Sequence, residues 1–341
     1  MLWKQITATL VDQLAQGRFK PGDRFYTLKE LGKEYRVSDI TGRRIMEELS
    51  ALNLIDCIQG KGTFVRRTVI GRTIKLLLHT SLSQAGYSHL YLVQEILRGI
   101  QDAAQLAGCQ ALMVSTEHFA DHVQEHDLVA TLWHSRHADA MRLAVERGAR
   151  IACTHAPEPV VGVHTVRPDF AAGTALATQH LLDLGHRRIA LVTGPISNVW
   201  FSARFDGYYR TLKAAGIPCD LDLVCETAIE NGCDIAPAFE ALRSGSTPPT
   251  AVVCANDGRA LAFMRLCREH GVRIPQDLAI VGFDNMHDGA LVTPALTTVD
   301  QFWRRQGSEA VALLLRQGEL APGGAIEDIV LQPQLVKRDT T

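Results

Sequence analysis

Leu54-Ile55-Asp56-Cys57-Ile58-Gln59-Gly60-Lys61-Gly62-Thr63-Phe64-Val65 decides the fold of the N-terminal part of the chain. Two short apolar runs, 54–58 and 63–65, flank a tip whose two glycines tolerate positive φ, so the stretch reads as a β-hairpin. Three helices are expected upstream of it. Leu2, Ile6, Leu10 and Leu14 recur every four residues, with Trp3 and Val11 beside them, as one face of an amphipathic helix. Gly17 ends that helix and Lys20-Pro21-Gly22-Asp23 turns the chain. Thr27-Leu28-Lys29-Glu30 reads as a capping box opening a second helix, with Leu28, Leu31 and Tyr35 facing inward. After the turn Arg36-Val37-Ser38, Ser38 caps a third helix carrying Ile40, Ile45, Leu49 and Leu52. Three helices and a hairpin make a winged helix-turn-helix over residues 1–67. The third helix enters the major groove of DNA, its N-terminal residues reaching base edges.

Thr41, Arg43 and Arg44 lie on that helix and Lys61 at the wing tip. Arginine can fork onto guanine, and lysine neutralises phosphate. The candidate DNA contacts are Lys4, Lys29, Ser38, Thr41, Arg43, Arg44, Lys61 and Gly62. Charge agrees: residues 1–72 hold 13 Lys/Arg against 8 Asp/Glu, whereas the rest holds 22 against 29. A basic head on an acidic body suits a head that meets phosphate. Gly60-Lys61-Gly62-Thr63 is not a phosphate loop, because the glycine spacing and the following helix are missing.

Residues 2–67 resemble the GntR family of DNA-binding domains. The likeness rests on Leu2-Trp3-Lys4-Gln5-Ile6, Gly17-Arg18-Phe19-Lys20-Pro21-Gly22-Asp23, Lys29-Glu30-Leu31, Arg36-Val37-Ser38 and Gln59-Gly60-Lys61-Gly62-Thr63-Phe64-Val65. Two places depart from the family pattern. Phe25-Tyr26-Thr27 stands where Leu-Pro-Ser is usual, and Asp39 stands where Arg is frequent. A carboxylate there accepts from cytosine N4 or caps the helix.

Residues 68–73 form a short basic linker, and from 74 to 341 the pattern becomes α/β. Apolar runs at 74–78, 111–114, 128–132, 150–153, 189–192, 251–254 and 278–281 alternate with helices near 91–107, 169–184, 202–215 and 258–270. This pattern predicts parallel sheets with crossover helices. Two such units in series, with C-terminal material free to return to the first, predict two lobes around a cleft. Ligands of such sheets bind beyond the carboxyl ends of the strands. Polar residues cluster there: Thr80-Ser81, His155, Thr193-Gly194-Pro195, Asn256-Asp257 and Asp284-Asn285, with Arg204 soon after Thr193. Arg donates in a fixed fork, Asp accepts and Asn does both, which suits a hydroxyl-rich ligand. On spacing alone these pairs serve equally as turn formers.

The body resembles the sensor domain of the LacI/GalR repressors over about 74–338, a periplasmic-binding-protein-like fold. The matching stretches are 180–190 (His180 to Ala190), Gly194-Pro195, Arg204-Phe205-Asp206-Gly207-Tyr208, Asn256-Asp257, 271–278, Val281-Gly282-Phe283-Asp284 and Leu296-Thr297-Thr298-Val299. The resemblance implies effector contacts at Arg204, Asn256 and Asp284; Trp200, Ser81 and His155 are added by their nearness to strand ends. The first lobe departs from the family, with Asp127-Leu128 where Asp-Gly is usual. Residues 117–127 are also too few for an ordinary crossover, so an irregular excursion is expected there. A GntR-type head on a LacI/GalR-type body is the combination of arabinose-repressor-like regulators. It implies a homodimer that binds double-stranded operator DNA under control of a small molecule, a sugar being the expected class.

The remaining readings are exclusions. Eight cysteines without a CxxC pair, several inside apolar runs, suit a reducing compartment. The N-terminus lacks the apolar core of a signal peptide and no stretch of about 18 apolar residues exists, so a cytoplasmic protein is expected. That argues against an exported binding protein of the same two-lobed shape. An enzyme using the cleft is the other rival, but no nucleophile–base arrangement stands out. His118, His122 and His126 share a helix face and a spacing that can hold zinc. A solvated short helix is the preferred reading, and neither metal nor cofactor is expected.

Overall fold

The structure is a computed structural model. It describes residues 2–15, 18–19, 22–51, 54–58, 61–65, 73–78, 87–115, 119, 123–125, 127–132, 137–228, 234–245, 247–316 and 326–341.

The head contains α1 (Leu2–Ala15), α2 (Leu28–Tyr35), α3 (Asp39–Ala51) and the hairpin β1 (Ile55–Ile58) and β2 (Gly62–Val65). Ile6, Leu10, Leu14, Leu31, Ile45, Leu49, Ile55 and Val65 close one core beneath the three helices and the hairpin. The capping box forms as expected: Thr27 Oγ1 accepts from Glu30 N, and the Glu30 carboxylate accepts from Thr27 N at 2.7 Å. Ser38 Oγ accepts from Thr41 N at 3.4 Å at the start of α3. The hairpin is antiparallel, with Ile55 opposite Val65 and Ile58 opposite Gly62. Gly62 sits at φ +114°, a conformation that favours glycine. The sequence reading fails at Ile40, which is 82% exposed. The buried stripe of α3 is Gly42, Ile45, Met46 and Leu49. A step of five from residue 40 to 45 carries a helix well past one turn, so the two isoleucines cannot share a face. Leu52, read as part of the same stripe, lies outside the described residues.

The body begins with β3 (Thr73–Leu78), α4 (Tyr87–Leu106), β4 (Gln110–Ser115), β5 (Leu128–Leu132), α5 (Ala138–Glu146), β6 (Arg150–Thr154) and β7 (His164–Pro168). It continues with α6 (Phe170–Asp183), β8 (Ile189–Thr193), α7 (Val199–Ala214), β9 (Val224–Glu226), α8 (Ala236–Ser244), β10 (Ala251–Cys254), α9 (Asp257–Glu269) and β11 (Ala279–Val281). The last elements are α10 (His287–Leu291), β12 (Thr298–Asp300), α11 (Trp303–Leu315), β13 (Asp328–Leu331) and β14 (Gln334–Val336). Two parallel sheets result, ordered β13-β7-β6-β5-β3-β4 and β11-β10-β8-β9, with β12 and β14 paired beside the second. Every residue of β5 and β8 is buried, as parallel strands covered on both faces require.

The chain changes lobes three times: from β7 to α6, from β12 to α11, and from β13 to β14. The return is visible in the packing, since Trp303, Val311 and Leu314 of α11 and Leu331 of β13 share the core of the first sheet with Ile74, Leu76 and Ile96. In the short excursion before β5, Phe119 and Val123 are buried, while most of the remaining residues lie outside the described set. Asp127, which takes the family's Asp-Gly position, accepts from Gln124 N and pairs with Lys75 of β3. His118, His122 and His126 lie outside the described residues. Among the described residues no His, Cys, Asp and Glu cluster suits a metal, and no helix is long and apolar enough to cross a membrane.

Candidate functional site

The second lobe positions the charged groups by three local devices. Arg204 projects from the second turn of α7, whose N-terminus is capped by Asn198 Oδ1 accepting from Trp200 N. Asn256 is the N-cap of α9, its Oδ1 accepting from Arg259 N at 2.9 Å. This bond commits the Asn256 carbonyl to the helix and does not use its amide N–H groups. Asp284 follows β11 with φ 131°, and Asn285 follows with φ 52°. Non-glycine residues rarely hold such backbone, and they persist where the surroundings over-determine them. His155, beyond β6, and Phe302, at the return to the first lobe, also have positive φ, at 57° and 56°. Strained backbone thus recurs where strands meet the cleft and where the chain changes lobes.

Arg204 is only 5% exposed. Its guanidinium lies 4.8 Å from the ring of Phe170, 5.8 Å from Phe201 and 4.6 Å from Phe283. Nη1 donates to the Trp200 carbonyl at 3.3 Å, whereas Nε has no hydrogen-bond partner among the described residues. Burial lowers its pKa to about 10, against the opposing pull of Asp284, so it stays a cation at neutral pH. Asp284 is equally buried, and Oδ1 accepts from Gln301 Nε2 at 2.5 Å. Burial raises its carboxyl well above the usual range; the Asp257 carboxylate adds to this and Arg204 opposes it. Asp257 accepts from Thr298 Oγ1 at 2.6 Å and from Met286 N at 2.7 Å. Burial still pushes it up to about 6.

Polar links cross between the lobes. Trp303 Nε1, at the start of α11, donates to the Asp284 carbonyl at 2.9 Å. Trp200 Nε1 donates to the His155 carbonyl at 3.3 Å. The His155 ring stacks with Trp200 at 6.3 Å and lies 5.1 Å from Phe170 and 4.9 Å from Trp303. The sequence-derived residues Arg204, Asp284, Trp200 and His155 are therefore brought together through a box of aromatic rings. Asn256 sits at the neighbouring strand end, and Ser81 lies outside the described residues. Sequence reasoning missed Arg259, buried beside Phe201 and donating to Thr227 Oγ1 and the Ala228 carbonyl. It also missed Phe170, Phe201, Gln301 and Trp303. Only Gln301 carried a signal, as a polar residue just beyond the run Thr297-Thr298-Val299-Asp300. Thr193 Oγ1 and Gln301 Oε1 join Arg204 Nε as buried polar atoms without a partner among the described residues.

In the head, Lys29, Ser38, Arg43, Arg44 and Lys61 are exposed, Thr41 is half-buried, and Lys4 lies on α1. Arg44 stacks on Trp3 of α1, its guanidinium 4.3 Å from the ring. The two arginines of α3 thus differ, Arg44 being laid across the head's own surface.

The chain joins a GntR-type helix-turn-helix domain to a LacI-type, periplasmic-binding-like sensor domain. Residues 2–65 match the model of bacterial regulatory proteins of the gntR family, and residues 178–341 match that of the periplasmic binding protein-like domain. The arabinose metabolism transcriptional repressor of Geobacillus stearothermophilus is 25% identical, with 99% of this chain and 96% of that one aligned. The HTH-type transcriptional repressor PurR of Pasteurella multocida is 35% identical over 167 residues, 49% of each chain. A LacI family transcriptional regulator from Mycobacterium smegmatis superposes with a TM-score of 0.60 at 26% identity, covering 79% of this chain and 98% of that structure.

Proposed function

We propose that this chain is a homodimeric, cytoplasmic transcription repressor whose hold on operator DNA is set by a sugar bound between the lobes. The observation that carries the reading is the set of buried polar atoms at the strand ends: Arg204 Nε, Thr193 Oγ1 and Gln301 Oε1. A buried polar atom left unpaired costs roughly 1–3 kcal/mol, which hydroxyls of a bound polyol would recover. Aromatic rings beside them suit the apolar faces of a sugar ring. The arabinose-metabolism role of the Geobacillus relative supports a pentose among the candidates. Lys4, Lys29, Ser38, Thr41, Arg43, Lys61 and Gly62 would meet the duplex, with Arg44 bracing the recognition helix on Trp3. Residues 1–67 would act as the DNA-binding unit and 74–341 as the sensor, joined by 68–73.

Dimerisation has its own support. β4 is an edge strand of the six-stranded sheet, and on it Leu112 is 52% and Met113 65% exposed. An edge strand with exposed apolar side chains is an association surface that monomeric proteins normally blunt. The test is a thermal-shift panel of neutral pentoses and hexoses on the full chain, followed by operator titration with any sugar that binds. A ligand of the native state raises the melting temperature as its concentration passes Kd. A panel without any shift, or a binding sugar that leaves operator affinity unchanged, refutes the reading.

A further inference from the structure

The third helix of the head presents an apolar residue that nothing in the fold uses. Ile40 is 82% exposed in the first turn of α3, the largest exposure of any large aliphatic side chain described in the head. The buried stripe of the helix runs Gly42, Ile45, Met46, Leu49. At about 100° per residue, position 40 lies on the opposite side and in line with 43, 44 and 47. That outer stripe also carries exposed Arg43, while Arg44 turns toward Trp3. Gly42 places the helix tightly on α2, since a Cβ there would stand 3.4 Å from Leu28 Cδ2. The outward direction of Ile40 is therefore fixed by packing on the far side of the helix.

We infer that Ile40 reads a thymine, its side chain seated on the C5-methyl group in the major groove. The inference rests on the DNA-binding reading of the head and assigns one base preference within it. The edges of the base pairs in that groove are hydrogen-bonding groups, with one apolar exception, the thymine methyl. A branched aliphatic side chain has no favourable partner among donors and acceptors, and it gains from covering a methyl. Asp39 before it and Thr41 after it are polar, so the apolar contact is confined to one step of the sequence. The neighbouring cation, Arg43, supplies binding strength without that preference.

The test uses the full-length chain. A binding site is first selected from a random duplex library. Each thymine of that site is then replaced singly by uracil, which removes the methyl and keeps every hydrogen-bonding group. Affinities are read by fluorescence anisotropy for wild type and Ile40→Ala. One methyl removed from an apolar contact corresponds to ~0.8 kcal/mol, about a fourfold loss. The expected result is a loss of about that size at one thymine per half-site for wild type, and no loss at that position for Ile40→Ala. Because Ile40 is 82% exposed, the variant should melt with the wild type, which keeps the comparison clean. Equal sensitivity of both proteins at every thymine, or a selected site with no sensitive thymine, overturns the assignment and leaves DNA binding standing. Failure to enrich any duplex overturns both.

Discussion

The two lobes of the body share one plan and differ in what they bring to the cleft. The second lobe supplies Arg204, Asn256, Asp284 and Asp257, each fixed by a cap, a turn or aromatic packing. The first lobe supplies the rings of His155 and Trp303, the His155 carbonyl and the Trp303 indole N–H. It also carries the exposed apolar edge of β4. On the proposed function the difference amounts to a division of labour: ligand recognition would be preorganised on one side, and the other side would report closure and hold a partner copy. A ligand changes the head only if it favours one lobe arrangement over another, so both sides are needed for a response.

The largest effect should come from the first lobe's edge. Leu112→Glu combined with Met113→Glu places carboxylates on β4, and each apolar side chain taken from an interface forfeits roughly 1.5–3 kcal/mol. Two-fold symmetry doubles that loss. Sedimentation should show the wild type as a dimer and the variant as a monomer, with sugar binding retained. A variant that stays dimeric removes β4 from the interface.

A tenfold to hundredfold effect is expected at Arg204. Charge-assisted hydrogen bonds contribute roughly 1.5–3 kcal/mol, so Arg204→Met should cut sugar affinity by about 10–100-fold. Stability without ligand should hold or rise, because a buried cation with an unpaired Nε is replaced by an apolar side chain of similar length. Titration calorimetry on His155→Phe, the counterpart from the first lobe, should show less than about tenfold loss. Equal losses at both positions would erase the asymmetry between the lobes.

The smallest effect is a pH dependence. Asp257 has its carboxyl raised from 3.8 to about 6 by burial. The folded state therefore holds a proton that the unfolded chain has released, and this contribution is present below 3.8 and lost as pH rises to about 6. Relative to Asp257→Asn, which does not titrate, wild type should lose stability across that window. A constant difference in denaturation midpoint would show that Asp257 is not protonated in the fold.

Legibility followed the range of the interactions. Asn256 and Asp284 stand just beyond apolar strands, but spacing alone leaves them as turn formers, and Arg204 lies a helical turn into α7; the resemblance to LacI/GalR sensor domains is what singles out all three. Gln301 reaches Asp284 across the change of lobes, and Arg259 reaches Thr227 from another helix, so neither pairing leaves a local pattern. Ile40 defeats the simple stripe because, in the first turn of α3, it stands five residues from Ile45 and so on the other side of the helix. The head was read through the Thr27–Glu30 capping box, where bonding partners are three residues apart. In the first lobe, Ser81 and the histidine run fall outside the described residues, and β4 shows why its strand was legible but its face was not. A short apolar run marks the strand, while exposure at Leu112 and Met113 is set by the sheet's order.

The measurement that bears most directly on the central claim is operator affinity with and without saturating sugar, for wild type beside Asp284→Ala. The carboxylate lies in the second lobe, and the head does not use it. The variant should hold operator as tightly as wild type without sugar. It should need about tenfold more sugar to respond, since a buried hydrogen-bonding partner left unsatisfied costs roughly 1–3 kcal/mol. If Asp284→Ala responds at the wild-type sugar concentration, the cleft is not where the signal enters.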